Sequence, residues 1–261
     1  LSVVQRTFPS ALNLGAFHGV TSRALGRVDT VGEIIDFEPV PDLLAACPGQ
    51  QVSGDLEVIP FADGRLDLIV SGLALQFVND LPGVLIQICR ALKPDGLFLG
   101  ALLGGTTLNE LRTAWAIAED EVLGGVSPRV APFVDLRDLG GLLQRAGFAL
   151  PVVDADVVQV RYGSSLDLMR DVKAMGASNT LIARHRKPVT KTLLARAAQI
   201  YDERFADEDG RVSATFEILN ITAWVPHESQ QKPLQPGSAK MRLADALGVE
   251  EKSAGEKAGR S

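Results

Sequence analysis

Near the start of the chain, Gly15-Ala16-Phe17-His18-Gly19 follows the apolar run Ala11 to Leu14 and makes a glycine-punctuated turn. A strand entering such a turn lets backbone amides face a ligand, because glycine tolerates the backbone angles that expose them. The same residues also suit a tight strand-to-helix turn that binds nothing. Asp36 stands where a second apolar run, Val31 to Ile35, stops. A carboxylate at that place accepts both hydrogen bonds of a ribose diol; a helix cap or an exposed turn residue is the alternative. Further on, Gly54-Asp55-Leu56-Glu57 precedes Ile59-Pro60-Phe61 and sets a carboxylate where an adenine amino group needs an acceptor, although Asp55 fits an ordinary turn equally well.

Elements that would position these groups alternate along the chain. Ala11 to Leu14 and Val31 to Ile35 read as strands, with short helices at Thr21 to Leu25 and Asp42 to Ala46. Leu56 to Ile59 and Leu66 to Val70 read as the next two strands. Asn79 or Asp80 then caps a helix whose apolar residues Leu81, Val84, Leu85, Ile88 and Leu92 recur at helical spacing until Lys93-Pro94-Asp95-Gly96 stops it. Leu97 to Leu103 returns as a buried strand. The spacing predicts an α/β fold, a doubly wound, mostly parallel sheet with ligands at the carboxyl ends of its strands.

Beyond residue 104, Thr107 and Glu110 read as a capping box for a helix with Leu108, Leu111 and Trp115 on one face, and Asp135 as the cap of another. A strand over Val152 to Val160, helices over Ser165 to Met175 and Thr190 to Phe205, and a long strand over Val212 to Trp224 complete a helical insertion between the last two strands. The expected domain covers residues 1–248, with a cofactor half to about 104 and a substrate half after it. Residues 249–261 read as a disordered tail.

The chain has 261 residues, 46% of them hydrophobic, and a net charge of −6. One substantial core fits that length. No global positive field exists to attract nucleic acid or anionic lipid. No apolar run is long enough to span a bilayer, the first residues lack the regions of a signal peptide, and Cys47 and Cys89 show no paired spacing. These features point to a reduced, cytoplasmic protein. His18, His185 and His227 lie far apart without metal-ligand spacing, so no metal site is expected.

Taken in order, the glycine turn, Asp36, Asp55 to Phe61, Asp67-Leu68-Ile69-Val70-Ser71 and Leu92-Lys93-Pro94-Asp95-Gly96 resemble the class I S-adenosylmethionine (SAM) methyltransferases. Leu75-Gln76-Phe77-Val78-Asn79-Asp80, Gly104 to Arg112, Gly124 to Phe133 and His227-Glu228-Ser229-Gln230 are similar to the branch of mitochondrial complex I assembly factors and, more distantly, to the malonyl carrier-protein O-methyltransferases. The resemblance implies a Rossmann-like methyltransferase fold with SAM as cofactor. It assigns Gly15, Ala16, Phe17 and Gly19 to the methionine moiety, Asp36 with Phe37 to the ribose, Asp55 and Leu56 to the adenine, and Ser71 and Leu73 to the neighbourhood of the sulfonium. Family members usually carry an acidic residue where Asn13 stands, a glycine where Phe17 stands, and a helical segment ahead of the first strand.

On the substrate side, Gln76 and Arg129 are the candidate contacts, Arg129 because its charged fork suits an acidic or polar group. A loop arginine on the surface accounts for it as well. Arg184-His185-Arg186-Lys187 suits either docking of an acidic carrier or a solvated helix end. Three functions follow: methyl transfer to a small-molecule carboxylate or a protein side chain; assembly of a respiratory complex through protein-arginine modification or chaperone-like binding to a subunit; or a non-catalytic protein that keeps the fold.

Overall fold

A parallel strand buried on both faces needs apolar residues at nearly every position, and two segments meet that demand: β1 (Phe8–Leu14) and β4 (Leu66–Gly72). They pair side by side at the centre of the sheet in the computed structural model, which describes residue 4 and residues 6–230. The other strands are β2 (Val31–Glu38), β3 (Gln50–Ser53), β5 (Leu92–Leu103), β6 (Ala149–Tyr162) and β7 (Val212–Trp224). Their order is β3-β2-β1-β4-β5-β7-β6, with the first five parallel and β7 antiparallel to both neighbours. Chain order reverses between β1 and β4, and loops leaving a sheet at such a point diverge to open a crevice. Residues up to His227 form one compact unit. The expected boundary at 248 and the expected tail lie outside the described residues.

Among the described residues, seven α-helices flank the sheet: α1 (Val20–Leu25), α2 (Pro41–Leu44), α3 (Leu81–Ala91), α4 (Asn109–Leu123), α5 (Leu136–Arg145), α6 (Ser165–Ala174) and α7 (Lys191–Phe205). The Asp80 side chain caps α3 by accepting from Gly83 N at 2.9 Å. Val84, Leu85, Ile88 and Ala91 then face the main core, which Leu12, Leu14, Phe37, Ile69 and Phe98 fill from the sheet. A second core gathers Leu111, Trp115, Leu193, Ala197 and Tyr201 from α4 and α7 against β7. The buried Tyr201 hydroxyl donates to Ser213 O at 2.8 Å.

Besides shifts in element bounds, such as β5 starting at Leu92 where the reading has it start at Leu97, two local features differ from the sequence reading. The third strand is Gln50–Ser53, while Leu56 to Ile59 form a turn whose Ile59 N–H donates to Gln87 Oε1 at 2.9 Å. Hydrophobicity alone did not separate a buried turn from a strand. The Thr107–Glu110 capping box is also absent: Leu108 occupies the cap in a left-handed conformation, Glu110 accepts from Thr215, and Thr107 donates to Glu217 O. Both side chains stitch α4 to β7 instead.

The loop after α4 is pinned from inside that helix. Glu119, fully buried, accepts from Ser127 N at 2.6 Å, from Ser127 Oγ and from Arg129 Nε at 2.7 Å, while the Arg129 guanidinium lies 5.2 Å from the Trp115 ring centre. Burial pushes the Glu119 carboxyl up; the hydrogen bonds from Ser127 and Arg129 outweigh it and leave the group below its ordinary value of 4.5. A carboxyl depressed in the folded state stabilises the fold above its unfolded pKa, and the contribution fades as pH falls through the folded value. Glu119→Gln should therefore cost about 2–4 kcal/mol at neutral pH and flatten the acid limb of a plot of Tm against pH; parallel curves for the two proteins would refute this. Tyr201→Phe, which removes one buried hydrogen bond, should cost about 1 kcal/mol in urea unfolding.

Candidate functional site

The crevice begins with a steric fit. Gly15, at φ +74°, packs so closely on the loop after β4 that a Cβ there would lie 2.1 Å from Ala74 Cβ. Gly54, in the loop after β3, lies against the Phe37 ring, where an added Cβ would stand 2.8 Å from its edge. Glu57 ties that loop to the one after β4 by accepting from Asn79 Nδ2 at 2.9 Å and Asp80 N at 3.2 Å, and the bond from the Asn79 backbone helps hold its carboxyl below the usual range. The loops after β1, β3 and β4 are thus fastened to one another at the carboxyl ends of the strands.

Strand β2 runs three residues beyond the sequence reading, to Glu38, and this moves the strand-end carboxylate. Asp36 is completely buried: it accepts from Asn13 Nδ2 at 2.8 Å, from Ser22 Oγ and from Gly49 N at 2.9 Å. It serves as an internal tie between β1, α1 and the entry to β3. Glu38, on the same face two residues on, sits at the strand end instead. Its Oε2 accepts from Phe17 N at 3.0 Å and its Oε1 from Val40 N at 3.2 Å, which leaves each oxygen able to accept again. The alternation Asp36-Phe37-Glu38 was the available signal, because a strand continued through it aligns both carboxylates.

The amides of the glycine turn are engaged within the protein. Gly15 N and Ala16 N donate to Phe37 O, Gly19 N donates to Ala16 O, and Phe17 N is held by Glu38. Phe17 adopts φ +46° and keeps its ring partly exposed. Behind it, burial first and then the charges of Asp36 and Glu38 push the Cys47 thiol up, so it stays neutral and donates to Phe17 O at 3.3 Å. Asn13 Oδ1 is buried without a hydrogen-bond partner. An unpaired acceptor and a strand-end carboxylate beside a glycine turn form a donor-seeking set, which fits a nucleoside bearing a diol and a cationic centre.

The remaining expected residues separate into supports and cavity walls. Ser71 is buried and donates to Leu14 O at 2.9 Å, bracing β4 on β1. Leu73, at φ +57°, is partly exposed at the mouth of that loop. Asp55 is exposed, accepting from Glu57 N, and Leu56 packs on the main core. Gln76 donates to Leu73 O at 2.6 Å, keeps a buried, unpaired Oε1, and lines a cavity of about 250 Å³ with Leu102 and Phe133. Arg129 lines a second cavity of about 570 Å³ between α4 and the loop at 124–133, but its charge is matched by Glu119. Arg112, which the sequence reading passed over, lines the same cavity. Among the described residues no helix is long and apolar enough to cross a membrane.

Residues 12–100 match the family model "Methyltransferase domain". The chain is 42% identical over 251 residues to the zebrafish (Danio rerio) protein "Arginine-hydroxylase NDUFAF5, mitochondrial", covering 93% of this chain and 76% of that one. It is 33% identical over 238 residues to the malonyl-[acyl-carrier protein] O-methyltransferase of Halorhodospira halophila, covering 88% and 79%. A solved structure of Haemonchus contortus phosphoethanolamine N-methyltransferase 2 in complex with S-adenosyl-L-methionine superposes with a TM-score of 0.52 at 14% identity, over 86% of this chain and 50% of that one. The cytoplasmic expectation is corrected here, because the zebrafish protein and its rat, mouse and human namesakes are all mitochondrial; the absence of an apolar span and of paired cysteines does not distinguish the two compartments. Over nearly its whole length, this chain belongs to the methyltransferase-fold family that contains the NDUFAF5 proteins.

Proposed function

We propose that the chain binds SAM across the carboxyl ends of β1, β2 and β4 and acts as a group-transfer enzyme on a substrate admitted between β4, α4 and the loop at 124–133. The observation that carries this reading is Glu38: a carboxylate at the end of β2, held by two backbone amides, with capacity left for two hydroxyl donors. Asn13 Oδ1 adds an acceptor for a cationic group, Gly15, Ala16, Phe17 and Gly19 wall the methionine side, and Asp55 and Leu56 border the adenine. Asp36, Phe37 and Ser71 support these from below, and Leu73 borders the transferred group.

When bound, SAM supplies an electrophilic methyl group on a sulfonium. The chain's own part is then to exclude water and to orient the acceptor, a contribution that positioning alone makes large. Gln76, which lines the smaller cavity and keeps an unpaired oxygen, would turn that oxygen to accept a hydrogen bond from the incoming substrate.

A second reading is favoured by the 42% identity to a protein named an arginine hydroxylase. In it the chain modifies an arginine side chain of a protein subunit during assembly of respiratory complex I, from the same cofactor crevice.

Calorimetric titration of the whole protein with SAM and with S-adenosylhomocysteine tests the shared premise, and saturable binding is expected for both. Glu38→Gln should weaken SAM binding of the folded protein about tenfold or more, as loss of a charged hydrogen-bond acceptor does, with a lower Tm because its amide nitrogen cannot accept from the second backbone N–H. Asp36→Asn should lower stability by about 1–3 kcal/mol while the folded fraction still binds. Unaltered SAM affinity in Glu38→Gln would overturn the assignment.

A further inference from the structure

An arginine beside an apolar cavity normally has a carboxylate partner, because an unmatched buried charge is costly. The larger cavity holds two arginines and only one such partner. Arg129 is paired with Glu119, which is itself saturated by Ser127. Arg112, in the first turn of α4, donates only to the carbonyls of Gly105, Thr107 and Ala131, at 3.4–3.5 Å, and pairs with no carboxylate among the described residues. These contacts lie at the long limit for a hydrogen bond, and carbonyls bring no net charge. The carboxylates on neighbouring elements are occupied elsewhere: Glu110 faces Thr215, and Glu217 holds Thr106 N at 2.8 Å. The rest of the wall is largely apolar, including Ala116, Val126, Val130 and Phe133.

We propose that this cavity binds a carboxylate carried on an apolar stem, anchored by the guanidinium of Arg112. The claim rests on the transferase reading only in treating the cavity as the acceptor side. Pro132 and Phe133 line both this cavity and the smaller one at Gln76, so a stem anchored at Arg112 extends past them toward the cofactor crevice. The anchored carboxylate is therefore a handle, and the group that reacts lies at the other end of the stem. A guanidinium entering the cavity would meet like charge, so an arginine side chain is selected against at this point of the site.

The test uses the whole protein and four probes: hexanoate, its neutral isostere hexanamide, butylguanidinium, and N-acetylglutamate amide as a peptide-borne acid. Titrations at low salt should show hexanoate bound more tightly than hexanamide by about tenfold or more, and no competition from butylguanidinium. Arg112→Gln should abolish the preference for acid over amide, while Arg112→Lys, which keeps the charge and loses the fork, should retain the preference at lower affinity. The blocked glutamate reports whether the acid is taken free or from a polypeptide; binding of either acid through Arg112 supports the site. Equal binding of acid and amide, competition by butylguanidinium, or an acid preference that survives Arg112→Gln would overturn it. SAM titration of the Arg112 variants, expected to match wild type, shows that they are folded. Acid selectivity in a wild-type protein that ignores SAM would leave this site standing and remove the transferase reading alone.

Discussion

A single carboxylate buried at the first strand pair sets the geometry of the cofactor crevice. Asp36 lies opposite Asn13 in the register of β1 and β2 and draws hydrogen bonds from Asn13, Ser22 and Gly49, which belong to β1, α1 and the entry to β3. Removing any one donor would leave part of a buried charge unmet, and that penalty is what keeps the three elements in register. The glycine turn between β1 and α1 inherits its path from this tie, and so does Glu38, fixed two residues further along the same strand. Asn13, where the family usually has an acidic residue, is accounted for by the same contact: a second carboxylate facing Asp36 at this distance would repel it, whereas the amide donates to it.

A comparable device organises the other half. Glu119, in the middle of α4, anchors the 124–133 loop through Ser127 and Arg129, with Trp115 stacked beside the guanidinium. The loop in turn supplies Pro132 and Phe133, which line both cavities. Each half therefore uses one fully buried carboxylate to hold a loop that carries the exposed chemistry. In both cases the charged group singled out by type, Asp36 or Arg129, makes its hydrogen bonds within the support, and the ligand contact proposed above passes to a neighbour, Glu38 or Arg112.

This substitution explains what was legible in the sequence. Apolar periodicity located β1, β4, β7 and helices α3, α5 and α7, because burial on one or both faces leaves a pattern in hydrophobicity alone. The cap at Asp135, and that at Asn79 or Asp80, which falls on Asp80, were readable for a related reason: each satisfies an amide within its own turn. Thr107 and Glu110 matched the same local pattern, yet their partners lie on β7, more than a hundred residues away. Which of two carboxylates on β2 meets a ligand depends on where the strand ends, and that is set by pairing with β3. Burial of Glu119 left no local trace at all. Long-range partners of polar side chains, and not the elements themselves, are what the sequence concealed.

Among the described residues, Asn13 Oδ1 and Gln76 Oε1 are buried without hydrogen-bond partners, the first at the carboxyl end of β1 and the second just beyond β4. A buried acceptor left unmet costs about 1–3 kcal/mol, and at Asn13 that cost stands beside the bonds its amide makes to Asp36 and Ser22, which a small apolar residue would lose. Arg112, half-buried, adds a guanidinium that meets carbonyls but no carboxylate among the described residues. Unmet groups of this kind near the strand ends of an otherwise well-satisfied interior are what the proposed binding predicts, since the missing partners are then supplied by the molecules the site receives. On the proposed reading the same logic sets the polarity of the crevice: acceptors gather on the β1–β2 side, which suits a diol and a cation, and an arginine that meets no carboxylate among the described residues stands on the α4 side, which suits an anion.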